Sequence, residues 1–159
     1  MKVYILFSFI LFYILFSISK EDIETMLISE YKLIVLAASG VLYLLSLRLT
    51  DTKVDIHDLI INNFLSMLII FLMMSSISYI SYKLLGINAL GLGDIKLSSI
   101  SSIWLGLELC FISLIISFLL SAIYSLHGKM TKRFYTFYQY PFAPFLSIGI
   151  FCSWILDKI

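Results

Sequence analysis

Six apolar runs separated by short polar stretches organise the 159-residue chain: Val3 to Ser19, Leu33 to Leu49, Leu59 to Leu85, Ile95 to Leu107, Leu109 to Leu126 and Tyr140 to Leu156. A helix needs about 20 apolar residues to cross a hydrocarbon core of about 30 Å, and a helix satisfies its own backbone groups in lipid. The pattern predicts an all-α polytopic membrane protein of about six transmembrane helices, forming one membrane-embedded domain over residues 1–159. Lys2 precedes the first run, and no A-x-A-like site follows in Phe16-Ser17-Ile18-Ser19-Lys20, so a retained span is expected rather than a cleaved signal. Gly40, inside the second run, allows close helix contact. The third run is longer than a bilayer requires and should tilt. The fourth is short, about 20 Å at 1.5 Å per residue, and carries Ser98, Ser99, Ser101 and Ser102. Such a helix suits the inside of a bundle or the wall of a wet cavity.

Composition agrees. The chain is 61% hydrophobic and 13% charged, with a mean hydropathy of +1.04, too little polar surface for a soluble domain of this size. A net charge of +1 offers no electrostatic footprint for nucleic acid. Cys110 and Cys152 lie in apolar runs without a CxxC pair, and His57 and His127 have no HExxH partner, so neither a metal site nor a cofactor is expected. With six spans, the odd-to-even loops hold seven basic residues and the opposite side four. The positive-inside bias then puts both chain ends outside and the loops around Asp22, Asp94 and Lys129 in the cytoplasm.

Candidate chemistry centres on Gly91-Leu92-Gly93-Asp94-Ile95-Lys96-Leu97. An ionisable residue at the mouth of a membrane segment is a functional candidate by default. The glycines permit positive φ and close approach by another backbone. A plainer role for Asp94 is N-cap of the following helix. Asp22 falls at the same membrane boundary. Two neighbouring carboxylates share a proton, and one can take a proton from water while the other polarises a carbonyl.

These residues resemble the type IV prepilin peptidases, aspartyl membrane proteases with a GxGD motif. Their GxGDxKL is matched from Gly91 to Leu97 with every fixed residue present. Asp22-Ile23-Glu24-Thr25-Met26-Leu27-Ile28-Ser29-Glu30 is similar to their D-x-K-T-x-x-I-P-D/N, with Ser29 for proline and Glu30 for Asp or Asn. Pro141-Phe142-Ala143-Pro144-Phe145-Leu146-Ser147-Ile148-Gly149 is similar to P-F-G-P-F-L-x-x-G, with Ala143 for glycine. The resemblance implies catalytic acids at Asp22 and Asp94, with Gly91, Gly93, Lys96, Thr25, Pro141 and Pro144 in support. It also implies cleavage of the short basic leader of prepilin-like precursors at the cytoplasmic face of the inner membrane. Larger family members carry an N-terminal segment with CxxC zinc pairs associated with N-methylation; peptidase activity without methyltransferase is therefore expected.

Asp51 competes for the first acid, since Asp51 to Asp58 faintly echoes the first motif, but the charge bias places that loop across the bilayer from Asp94. Lys96 is expected to snorkel toward headgroups. Thr25 either steadies Asp22 or closes its helix. Glu24 and Glu30 read as solvated charges, and the aromatics Phe134, Tyr135, Phe137, Tyr138 and Tyr140 as an interfacial belt. A catalytically inactive relative acting in pilus or secretion assembly, and a small membrane transporter, are the rival functions.

Overall fold

Polar breaks in the hydrophobic pattern divide the chain into helices alone among the described residues. The computed structural model describes residues 2–50, 56–86, 90–131 and 139–157. Helix α1 is Lys2–Thr25, α2 Glu30–Thr50, α3 Ile56–Leu85, α4 Leu92–Met130 and α5 Ala143–Leu156. Helices α1 to α4 are each long and apolar enough to cross a membrane, while α5 is shorter at 14 residues. The protein is an all-α, multi-pass membrane protein. Length and composition give four such helices rather than the six spans expected.

The difference lies in α4. Its 39 residues would form a straight rod of roughly 58 Å, nearly twice the hydrocarbon core. It is not straight. Gly106 adopts φ 73°, ψ −178° in its middle, a conformation open to glycine and strained for other residues. Across the break, Ser101 Oγ lies 3.8 Å from Cys110 Sγ, and the Cys110 thiol donates to the Ser98 carbonyl at 3.6 Å. In an unbroken helix these residues would stand roughly 13 and 18 Å apart along the axis. The chain therefore folds back at Gly106, and the arms 92–105 and 107–130 correspond to the predicted fourth and fifth runs. A helix end leaves carbonyls without partners; here buried Asn63 of α3 donates its amide to the Ile103 carbonyl at 2.9 Å.

Small residues bring the rods together. The Trp104 indole lies on the bare backbone of Gly40, with Nε1 2.7 Å from where a Cβ would stand, and donates to the Leu36 carbonyl at 2.9 Å. A side chain at Gly149 of α5 would collide with Ser117 Oγ and the Ser113 backbone of the second arm. Close backbone approach of this kind gives membrane helices their packing contacts. The four serines of the first arm are buried, and each hydroxyl donates to a carbonyl three or four residues earlier, at 2.6–2.9 Å. The bundle-interior expectation describes them.

Helix α5 runs antiparallel to α1. Ala143 meets Asp22, Ser147 meets the Leu15 carbonyl, and Trp154 meets Ser8. The first arm of α4 runs parallel to α2, with Lys96 beside Glu30 at one end and Trp104 beside Leu36 at the other. Asp22 and Asp94 are thus carried to the same end of the bundle.

Candidate active site

The polar stretch expected from Lys20 to Lys32 is mostly helical. Helix α1 continues to Thr25, and only residues 26–29 separate it from α2. The buried stripe Leu11, Leu15, Ile18 continues in phase to Asp22, which is 5% exposed. Helical periodicity therefore turns this acid inward.

What it meets there is the start of α5. The Ala143 N–H donates to Asp22 Oδ2 at 3.0 Å, and the Phe142 N–H also reaches the carboxylate. The first N–H groups of a helix lack partners within it and carry partial positive charge. Phe142 is the N-cap residue and makes no side-chain cap bond; the missing acceptor comes from Asp22 on α1. Pro144 stands in the first turn, where its absent N–H removes one unmatched donor. This gives the Pro141-to-Pro144 stretch its structural part: it presents a helix start to Asp22. Alanine in place of glycine at 143 leaves that donor intact, because the bond uses the backbone.

Asp94 is placed locally. It is the third residue of α4, and Gly91 is the N-cap, at φ −70°, ψ 150° with no side-chain cap bond. Asp94 is thus not the N-cap itself. Its carboxylate turns back toward the Gly91 N–H, the arrangement of the acidic half of a capping box. Oδ2 lies 3.2 Å from where a Cβ on Gly91 would stand, and the backbone of Gly93 is covered by Ile28, 3.1 Å from the corresponding position. Neither glycine has positive φ. They are needed for closeness: one to the Asp94 carboxylate, the other to a side chain of the 26–29 turn. Asp94 Oδ1 is buried and has no hydrogen-bond partner among the described residues. Asp94 lies within electrostatic range of Asp22.

The family model for type IV leader peptidases matches residues 9–126. The chain belongs to the type IV leader peptidase family. Neither the curated proteins nor the solved structures gave a match. The family match includes Asp22 and Asp94 and ends before α5, so the part assigned to residues 141–144 rests on the geometry around Asp22.

The remaining candidates separate. Lys96 pairs with Glu30 across α4 and α2, an exposed contact in which the side chains are 45% and 77% accessible. Lys96 therefore has a protein partner where snorkelling was expected. The Thr25 hydroxyl donates to the Glu21 carbonyl at 2.8 Å and to the Leu27 carbonyl at 3.3 Å, closing the end of α1. Pro141 lies in the irregular stretch just before α5. Asp51, and Phe134, Tyr135, Phe137 and Tyr138, lie outside the described residues. Among the described residues no three His, Cys, Asp or Glu side chains gather as a metal site requires.

Sequence reasoning missed Glu21 and Lys32. Glu21 Oε2 accepts from the Ser29 N–H at 3.2 Å and faces Lys32 Nζ at 3.3 Å, and Lys32 also donates to the Ser17 carbonyl at 2.7 Å. As loop charges they carried no signal. Only the extension of α1 to Thr25 makes them neighbours.

Proposed function

We propose that this type IV leader peptidase family member is an aspartyl endopeptidase that removes the short basic leader of prepilin-like precursors at the cytoplasmic face of the inner membrane. The carrying observation is that helix packing brings Asp22 and Asp94, from helices far apart in sequence, to the same end of the bundle, with the 26–29 turn that follows the helix of Asp22 seated on Gly93 beside Asp94. Two carboxylates so placed hold one proton between them. The ionised one takes a proton from water as the water oxygen bonds to the scissile carbonyl carbon. The protonated one gives its proton to the carbonyl oxygen. Collapse of the gem-diol intermediate breaks the C–N bond: the leaving nitrogen takes up the proton removed from water, and the other carboxylate takes a proton back from a gem-diol hydroxyl as the carbonyl re-forms. Products are a new carboxyl and a new amine, and the pair returns to its starting state. The unpartnered Asp94 Oδ1 supports this reading, because a working acid needs lone pairs that structural bonds have not consumed.

The precursor's apolar segment would lie beside the site. A groove of about 450 Å³ runs between α2, α3 and the first arm of α4, lined by Leu33, Ala37, Val41, Phe64 and Ile100, with Glu30 and Lys96 also on its wall. The peptide must unwind locally at the acids, because a helical backbone hides its carbonyls in its own hydrogen bonds.

Membranes carrying the wild type should cleave a prepilin-like precursor, and those carrying Asp22→Asn or Asp94→Asn at equal abundance should not. Undiminished cleavage by either variant would remove it from the catalytic pair. Orientation is tested in a Cys152→Ser background. Cysteine at Leu27, beside Asp22, should label from the cytoplasm and cysteine at Leu156 from outside; the reverse would put the site on the other face.

A further inference from the structure

Residues 26–29 join α1 to α2 through a turn in which Met26 has φ 53°, a left-handed conformation that side chains disfavour. Such a turn keeps its shape when its surroundings hold it. Here three bonds converge. The Glu21 carboxylate accepts the Ser29 N–H, Lys32 Nζ faces the same carboxylate oxygen, and Lys32 also donates to the Ser17 carbonyl. The Glu21 and Lys32 side chains are each 27% accessible, so water competes only partly. Ser29 stands where the related motif carries proline, which fixes φ and has no N–H. Proline would stiffen the turn by its ring; this chain does so with a bond that proline cannot make. The held turn carries Ile28 onto the bare backbone of Gly93, 3.1 Å from its missing Cβ and one residue before Asp94. One end of the turn is the helix of Asp22 and the other is seated beside Asp94.

We propose that Glu21 and Lys32 are positioning residues: by clamping the 26–29 turn they seat Ile28 on Gly93 and fix the spacing between Asp22 and Asp94. The proposal rests on the reading of those two acids as the catalytic pair. A displacement of about 1 Å at reacting groups can cost up to a hundredfold in rate, so a short, strained turn between the acids needs this restraint.

The test uses the full chain in membranes or detergent, with Glu21→Ala, Glu21→Ala/Ser29→Pro and Asp22→Asn. Cleavage kinetics on a prepilin-like precursor, amide exchange at Ser29 and thermal stability are measured. Glu21→Ala should exchange faster at Ser29 and lose roughly tenfold or more in kcat with KM little changed. Adding Ser29→Pro should recover most of the kcat, since the ring replaces the lost acceptor. Wild-type kcat in Glu21→Ala, with Asp22→Asn inactive, would overturn the clamp. So would a kcat loss that Ser29→Pro leaves unrepaired in a protein of normal stability. If Asp22→Asn cleaves normally, it is the catalytic reading that fails, and unchanged Ser29 exchange in Glu21→Ala would then overturn the clamp separately.

Discussion

The Asp22 carboxylate reaches from α1 to the first N–H groups of α5, across 121 residues of sequence, whereas that of Asp94 turns back on the start of its own helix and leaves Oδ1 without a partner. One acid is held by the tertiary fold and also holds it. The other is set by two glycines within three residues and contributes little to holding anything. The proposed acid pair thus has a structural half and a poised half. Substitutions alike in chemistry should separate the two.

The largest effect expected is on cleavage. An amide neither titrates nor activates water, so Asp22→Asn and Asp94→Asn should each lose at least roughly a hundredfold, the lower range for general acid–base groups. Stability should divide them. Asp22→Asn removes a negative charge from the N-terminus of α5, worth roughly 0.3–1 kcal/mol and more where partly buried. Asp94→Asn gives up only the local bond to the start of α4. Thermal unfolding in detergent should show a lowered midpoint for Asp22→Asn and almost none for Asp94→Asn. Equal losses would erase the distinction drawn here.

That distinction also explains what the sequence revealed. Asp94 sits in a contiguous motif whose reasons are local, so its candidacy could be read directly from Gly91 to Leu97. The partners of Asp22 are the backbone N–H groups of Phe142 and Ala143, which have no side-chain signature. Only resemblance joined the first and third motifs; the geometry supplies the physical reason. The helix runs were legible because apolar length is a strong signal. The reversal between the fourth and fifth runs was expected from the pattern, but its seat at Gly106 was not, since one glycine in an apolar stretch does not announce a φ of 73°. The extent of α1 was misread for a related reason. Polar residues after Ser19 resemble a loop until Asp22 is seen to be in phase with the buried stripe above it.

A smaller loss is expected at Gly93. A methyl there would stand 3.1 Å from Ile28 Cβ and 3.2 Å from its Cγ1 and Cδ1. Either the 26–29 turn or the first turn of α4 must shift. Gly93→Ala should cost roughly tenfold in kcat through displacement of Asp94, and Ile28→Ala in the same chain should recover part of it by removing the outer carbons. Contacting residues of this kind give non-additive cycles. Strict additivity of the two substitutions in cleavage would mean that Ile28 and Gly93 do not set the position of Asp94.

Ala143→Gly should do less. The donor to Asp22 is the backbone N–H, which glycine retains, and the change removes one fully buried methyl, worth about 0.8 kcal/mol. Cleavage should stay within roughly threefold of the wild type, less than 1 kcal/mol of barrier. A larger loss would show that the side chain at 143, and not the helix start alone, shapes the surroundings of Asp22.

The smallest effect is expected from the residue that the motif places most suggestively. Lys96 follows Asp94 by two positions, and a cation there invites the reading that it tunes the acid. The geometry opposes this. Residues two apart on a helix do not face each other, and the Lys96 ammonium is taken up by Glu30 of α2. Both partners are substantially exposed, so solvent and salt screen the pair. Lys96→Ala should therefore leave kcat and the thermal midpoint close to wild type, and any residual effect should vanish at high ionic strength. The poised half of the site would then depend on the two glycines and the turn beside them. A tenfold loss of kcat in Lys96→Ala that persists in high salt would instead bring a cation into the acid pair's surroundings, and Asp94 could no longer be described as set by backbone closeness alone.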